Sequence, residues 1–216
     1  MSESTKLYMP LSVLAVALLT ATYCLAYKMT DFVGLKISTG IFIFPLIYSI
    51  TDIVSQVYGA RKAKEMVYTT ILAALIFSTL VSWMSYFPGE QSAEYIAVLG
   101  SLWQFNLGIM IGLFFGSRVN IFIVSNSKLA NNPRVKFWLR TLIATGIGEA
   151  VMTLASLSIE FLQHLNLSGI LQQTIIIYSI SLIYAVLMSF VITPITNFVK
   201  AVEIGTIKNF VRLRGL

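Results

Sequence analysis

The sequence predicts an all-α membrane protein, a compact bundle of six transmembrane helices that forms a single domain over residues 1–216. Two observations support this fold class. Of the 216 residues, 57% are hydrophobic and only 11% are charged, whereas a soluble domain carries about 25% charged residues. Uncharged apolar runs long enough to cross the hydrocarbon core of a bilayer also recur along the chain. Most of the surface is therefore expected to face lipid.

The charge-poor intervals place the six helices in order. We expect them at about residues 8–27, 37–58, 66–87, 100–124, 138–162 and 174–199. The first follows Lys6 and is longer than the core of a signal peptide, so we expect it to be retained. Gly59 is expected to end the second helix and Pro88 the third.

Three glycines predict how the fourth helix packs. Gly108, Gly112 and Gly116 recur at intervals of four residues, which places them on one face of the helix. Small residues on one face allow a second helix to approach closely. We expect this face to pack within the chain, with a homodimer interface as the alternative.

The basic residues predict that both termini are cytoplasmic and that the protein lies in the inner (plasma) membrane. With the N-terminus inside, the outer loops hold only Lys28 and Lys36. The inner segments hold Lys6, Arg61, Lys62, Lys64, Lys128, Arg134, Lys136, Arg140, Lys200, Lys208, Arg212 and Arg214. This asymmetry follows the positive-inside rule. The net charge of +6 therefore orients helices, and we expect no nucleic-acid partner.

Several classes of function lack their sequence signatures. The chain has one cysteine and one histidine, which argues against a disulfide or a metal site built from these residues. No Walker motif, HExxH or GxSxG occurs. We therefore expect no enzymatic activity, no cofactor and no metal. We expect His164, near the outer end of the fifth helix, to lie at the membrane interface.

Three ionisable residues fall inside the predicted helices. Asp52, Arg118 and Glu149 belong to the second, fourth and fifth helices, at depths that overlap when helix rise is counted. Each costs at least about 2.5–3.5 kcal/mol in the membrane, so a shared ligand site is the preferred interpretation. The alternatives are that Arg118 reaches the interface, that Arg118 and Glu149 form a structural ion pair, and that Asp52 is hydrated near the inner surface.

Uncharged residues extend this candidate site. Tyr48, Asp52 and Gln56 are spaced by four residues and share one face of the second helix. Asn120 lies two residues after Arg118 in the fourth helix. Together these side chains offer hydrogen-bond donors, acceptors and an aromatic ring.

The segment 40–63 resembles the signature of the queuosine precursor transporter family, also called the vitamin uptake transporter family. The matching residues are Phe44, Pro45, Leu46, Tyr48, Thr51, Asp52, Tyr58, Gly59 and Ala63. A second match is Trp138-Leu139-Arg140 at the start of the fifth helix, and Lys28 resembles a family lysine after the first helix. The resemblance covers nearly the whole chain.

The chain departs from the family pattern at several polar positions and is identified as a divergent member. Gln56 replaces a usual Glu, Tyr23 replaces an expected Asn, and Asn120 replaces an Asp. In the fifth helix, Glu149 replaces a Gln and Met152 an Asp. Charge is thus redistributed among the site positions while the motif of the second helix persists.

The resemblance implies uptake of a 7-deazaguanine-type base, a precursor of queuosine, with coupling to a proton or sodium or by facilitated transport. It also implies a fold like that of the substrate-binding subunits of energy-coupling-factor importers. The expected roles are acceptors for Asp52 and Glu149, amide contacts for Gln56 and Asn120, a stacking wall from Phe44 or Tyr48, a clamp from Arg118, and additional contacts from Tyr23 and Lys28.

Two other functions stay open at this stage. One is a substrate-binding subunit of an energy-coupling-factor vitamin importer, which needs a separate ATPase module. The other is a membrane scaffold that transports nothing. A homo-oligomer is compatible with each of these functions.

Overall fold

The computed structural model describes residues 6–25, 28–32, 35–90, 92–100, 102–126, 136–161 and 167–204. Within these ranges the chain is mainly helical. The α-helices are α1 (Tyr8–Cys24), α2 (Pro45–Met84), α3 (Ser92–Leu99), α4 (Leu102–Ile121), α5 (Phe137–Phe161) and α6 (Leu167–Ile204). The other elements are strands β1 (Met29–Phe32) and β2 (Leu35–Ser38), a 3₁₀ turn (Thr39–Phe42) and a π-helical turn (Phe122–Asn126). His164 lies outside the described residues.

The longest helix, α2, consists of two arms that meet at Gly59. The backbone of Gly59 has a φ of 86°, a conformation that a residue without a Cβ adopts easily. Ile50 and Val54 from the first arm share a buried apolar cluster with Met66 and Val67 from the second. The arms therefore run antiparallel, and they correspond to the predicted second and third helices.

The predicted start of the second helix is wrong by about eight residues. The helix begins at Pro45, whose fixed φ suits a first helical position. The preceding residues form β1 and β2, which pair antiparallel with Met29 opposite Ser38. The fold class remains all-α, and the hairpin lies mostly between the first two predicted helices, in a segment expected to be a loop. The short helix α3 also lies in a segment predicted to be a loop.

The glycine face of α4 packs against α5 in the same chain, as predicted. A Cβ at Gly108 would lie 3.1 Å from the carbonyl oxygen of Ser156, and one at Gly112 would lie 2.7 Å from that of Met152. At Gly116 it would meet Oη of Tyr48 at 2.5 Å and the carbonyl oxygen of Gly148 at 2.6 Å. These positions let the two helix backbones approach closely.

We expect Gly116→Ala to lower the free energy of unfolding by about 1–3 kcal/mol, because the added methyl group has no space between two helices. The measurement is the thermal midpoint of the purified protein in detergent. The matched control is Gly146→Ala, where a Cβ would lie 3.4 Å from a methyl carbon of Leu182, an ordinary contact. An unchanged midpoint for Gly116→Ala would contradict the tight α4–α5 contact.

Three helices meet at one carboxylate, at the end of the bundle where α1 begins and α6 ends. Oε1 of Glu203, near the end of α6, accepts hydrogen bonds from the backbone N–H of Leu7 at 2.7 Å and from Oη of Tyr58 at 2.7 Å. Its Oε2 accepts from the backbone N–H of Lys6 at 3.3 Å. Glu203 thus binds orphan amides at the start of α1 and ties them to the first arm of α2.

The exposed surface of the bundle is apolar. Large side chains such as Leu72, Ile76, Phe190 and Phe198 are more than half exposed, as expected where lipid replaces water. Among the described residues, three helical segments are long and apolar enough to cross a membrane, namely Thr39–Met84, Asn106–Ser125 and Thr174–Glu203. Tyr8–Cys24 is a shorter apolar helix. The number of spans and the side of each terminus stay predictions.

Candidate functional site

Asp52 lies in the first arm of α2 and is completely buried. Its Oδ2 accepts a long hydrogen bond of 3.4 Å from Oγ1 of Thr145 on α5. Asn120 of α4 lies beside the carboxylate and donates through Nδ2 to Oγ1 of Thr145 at 3.4 Å. Oδ1 of Asp52 and Oδ1 of Asn120 have no hydrogen-bond partner among the described residues. Three helices thus converge on a carboxylate with spare acceptor capacity.

Glu149 lies one turn beyond Thr145 on α5, with 1% of its surface exposed. Ser181 of α6 and Tyr48 of α2 are its polar neighbours. Neither carboxylate oxygen has a hydrogen-bond partner within the part of the chain that the structure describes. Buried polar atoms in native proteins nearly always have a partner, so Glu149 is a candidate for contact with a ligand or a proton.

Tyr48 and Phe44 form an aromatic wall one and two turns before Asp52. Their ring centroids are 6.0 Å apart and the rings meet edge to face at 70°. Tyr48 is fully buried, and its ring lies against Gly148, where an added Cβ would be 3.5 Å from the Cε1 atom of Tyr48. The tighter contacts of that Cβ would be with α4, at 3.0 Å from the carbonyl oxygen of Gly116 and 3.2 Å from Cβ of Asn120, so Gly148 lets α4 and α5 approach closely.

Gln56 lies one turn after Asp52 and is half-buried. Its Oε1 accepts a hydrogen bond from Nη2 of Arg140. Arg140 is itself 93% covered, since only 7% of its surface is exposed, and its guanidinium carbon is 5.4 Å from the ring centroid of Phe137. The same guanidinium acts electrostatically on Asp52. A buried guanidinium therefore lies at the Gln56 end of this group of side chains.

We use the name polar cluster for Tyr48, Asp52, Gln56, Asn120, Arg140, Thr145 and Glu149. Its members form a ladder between two antiparallel segments. Along the first arm of α2 the order is Tyr48, Asp52 and Gln56, and each of these residues is near one member from α5 in the reverse order. Eight residues of helix separate the ends of the ladder, or about 12 Å along the axis. Such a strip can contact one small molecule at several polar atoms.

Arg118 does not join the polar cluster, so the expectation that it converges with Asp52 and Glu149 is wrong. Its side chain is exposed on α4, and its Nε and Nη2 atoms donate to Oη of Tyr68 at 3.1 and 2.8 Å. The reason is helical geometry. Asn120 faces the cluster, and a residue two positions earlier points about 200° away around the axis. The alternative in which the guanidinium reaches the surface agrees with this placement.

Sequence reasoning missed Arg140 as a site residue because it counted this arginine among the inner basic loops. The available signal was its place in the Trp138-Leu139-Arg140 match. Arg140 lies at the predicted start of the fifth helix, and its side chain is on the face of α5 toward Asp52.

The two additional candidates, Tyr23 and Lys28, are not members of the ladder, although Tyr23 shares a buried cluster with Phe44 and Tyr48. Tyr23 is buried and donates to Oδ1 of Asn106, and Nδ2 of Asn106 donates to Oγ of Ser78. These residues join α1, α4 and the second arm of α2 in a second polar contact. Lys28 is exposed, and its carbonyl oxygen accepts from Oγ1 of Thr39 at 2.7 Å.

The polar cluster combines two carboxylates, two side-chain amides, a guanidinium, a threonine hydroxyl and the ring of Tyr48, and Phe44 adds a second aromatic ring beside it. Carboxylates accept hydrogen bonds from N–H groups, amides both donate and accept, and a guanidinium donates to carbonyl oxygen. This set suits a flat, uncharged molecule with donors and acceptors on its edges.

Comparisons with known proteins bear on this site. Residues 38–199 match the family model described as "Putative vitamin uptake transporter", a range that includes every member of the polar cluster. The queuosine precursor transporter of Escherichia coli strain K12 is 23% identical to the chain over 158 residues, which are 70% of this chain and 67% of the relative. No solved structure matches the chain.

Proposed function

Because this chain belongs to the vitamin uptake transporter family, we propose that it imports a small polar heterocycle of the queuosine-precursor type, or a related vitamin-like base, through the polar cluster. The observation that carries this proposal is the pair of buried carboxylates, Asp52 and Glu149, whose free acceptor atoms lie on one strip between α2 and α5. Carboxylates in hydrocarbon are costly and mark substrate or proton pathways.

Recognition follows from the order of groups along the strip. In the proposed complex, Oδ1 of Asp52 and the carboxylate of Glu149 accept from ring and amino N–H groups of the substrate. Asn120 contributes the acceptor Oδ1, and Arg140 donates to a carbonyl oxygen while it holds Gln56. Phe44 and Tyr48 cover one face of the ring system. Arg118, Tyr23 and Lys28 have no part in this complex.

The coupling of transport is proposed to involve the same carboxylates. Asp52 and Glu149 are the acidic residues of the polar cluster, and protonation of either one would alter how many N–H groups the site can bind. We propose an inner-membrane location with both termini cytoplasmic, with facilitated transport or coupling to a proton or sodium gradient as the two modes to be separated by experiment.

A subunit of an energy-coupling-factor importer is the main alternative. Such a subunit binds its substrate but needs a separate ATPase module to move it. A membrane scaffold is the second alternative, and it would neither bind nor move a heterocycle. Both alternatives predict no uptake by the isolated chain.

The test uses the purified full-length protein in liposomes without ATP. We expect accumulation of labelled 7-deazaguanines, competition by unlabelled 7-deazaguanine, and weaker competition by purines and vitamins. Imposed proton and sodium gradients, each applied alone, identify the coupling mode. Binding without uptake would favour the importer subunit, and the absence of both would favour the scaffold.

A further inference from the structure

One cation lies on an otherwise apolar surface of the bundle. Arg118 is exposed on α4. The exposed residues on the same face of that helix are Leu107, Ile111, Phe115 and Phe122. On the neighbouring second arm of α2, Leu72 and Ile76 are 57% and 52% exposed. In a membrane this surface contacts acyl chains, so Arg118 places its guanidinium among lipids.

The described residues give this cation no counter-charge. Its Nε and Nη2 atoms both donate to the hydroxyl of Tyr68, and its guanidinium carbon lies 4.3 Å from the ring centroid of Phe114. No carboxylate in the described ranges lies within ion-pair distance of Arg118. A hydroxyl and a ring face offset part of the cost of a charge in hydrocarbon, and the rest calls for an anion.

The position of the guanidinium fits the level of lipid headgroups. Arg118 lies eight residues before the end of the helical segment that α4 and the π-helical turn form together, at Asn126, which is about 12 Å of helix. Tyr68 lies nine residues after the turn at Gly59, or about 13 Å along its arm. A long arginine side chain at such a depth reaches toward the interface, and the exposed Arg61 and Lys64 mark the same end of the bundle.

We propose that Arg118 and Tyr68 bind the phosphate of an anionic phospholipid in the leaflet next to Gly59. The donors and acceptors are complementary. The hydroxyl of Tyr68 accepts from Arg118 and keeps its own proton to donate to a phosphate oxygen, and the remaining guanidinium N–H groups donate to the same phosphate. The rings of Tyr68 and Phe114, stacked with centroids 5.8 Å apart, form the apolar support beneath the headgroup.

The test measures thermal unfolding and retained lipids of the purified full-length protein in detergent. Phosphatidylglycerol is expected to raise the thermal midpoint more than phosphatidylcholine does, and native mass spectrometry is expected to detect bound phosphatidylglycerol. Arg118→Gln should remove most of this lipid-specific increase, and Tyr68→Phe should remove part of it. Arg61→Gln, which changes an exposed arginine paired with Glu65, should leave it intact.

Three results would overturn the proposal. One is an equal effect of the two phospholipids on the wild-type protein. Another is a full phosphatidylglycerol effect in Arg118→Gln, or in Arg118→Ala if the first variant does not fold. An equal increase caused by inorganic phosphate would also contradict a lipid ligand. All readouts are binding and stability, so a failure of the proposed transport activity would leave this test unaffected.

Discussion

Asp52→Asn and Glu149→Gln are each expected to lower the rate of substrate uptake by about tenfold to a hundredfold. Both changes keep the size of the side chain but replace an anionic acceptor with a neutral amide. A hydrogen bond to a charged group contributes about 1.5–3 kcal/mol, and each 1.4 kcal/mol is about a factor of ten in binding. The measurement is initial uptake into liposomes at a substrate concentration well below saturation.

The control for these two variants is Glu94→Gln. Glu94 is exposed in the first turn of α3, far along the chain from every member of the polar cluster, so uptake should stay at the wild-type rate. Size-exclusion profiles check that each variant is folded. If Asp52→Asn and Glu149→Gln are both folded and transport normally, the polar cluster is not the substrate site.

Arg140→Gln is expected to abolish uptake and to lower stability at the same time. Arg140 is buried, holds Gln56, and is the cation that acts on Asp52. Removing the guanidinium deletes its hydrogen bond to Gln56, and a hydrogen bond to a charged group contributes about 1.5–3 kcal/mol. The thermal midpoint and the uptake rate should therefore both fall, whereas Arg61→Gln, at an arginine whose side chain is 86% exposed, should change neither.

A double variant separates the stabilising role of Arg140 from its role in substrate binding. In Asp52→Asn/Arg140→Gln the buried anion and the buried cation are both removed, so the loss of stability should be smaller than the sum of the two single losses. Uptake should stay absent. Additive losses of stability would show that Asp52 and Arg140 do not interact, and restored uptake would contradict their roles in binding.

Spacing along one helix predicted one wall of the site correctly. Tyr48, Asp52 and Gln56 do share a face of α2, because a four-residue interval fixes direction around the axis as well as depth. The depth estimate placed Glu149 at a level that overlaps that of Asp52, and the structure puts these residues in one cluster. Asn120 and Glu149 join one cluster because α2, α4 and α5 pack together. The contact between α4 and α5 depends on the close approach of their backbones at Gly116 and Gly148.

Helix depth selected Arg118 as the cation of the site, whereas the structure places Arg140 beside Gln56. Depth alone ranked Arg118 with Asp52, but depth does not say on which side of α4 a residue lies. That direction is fixed only when the glycine face is assigned to α5, since Gly116 and Asn120 then point inward and Arg118 outward. The hairpin of β1 and β2 was missed for a related reason. Hydropathy locates uncharged segments, but it does not report the strand pairing that forms a short hairpin between two helices.

The carboxylate of Glu203 also has a consequence for how the chain is made. The amides it binds belong to Lys6 and Leu7, which precede it by 197 and 196 positions, so synthesis at about 5–20 residues per second leaves the beginning of α1 without this partner until α6 has been made. Assembly of the junction between α1, α2 and α6 therefore waits for α6. A nascent chain interrupted before Glu203 has every cluster residue and still lacks the contact that joins α1 to α6.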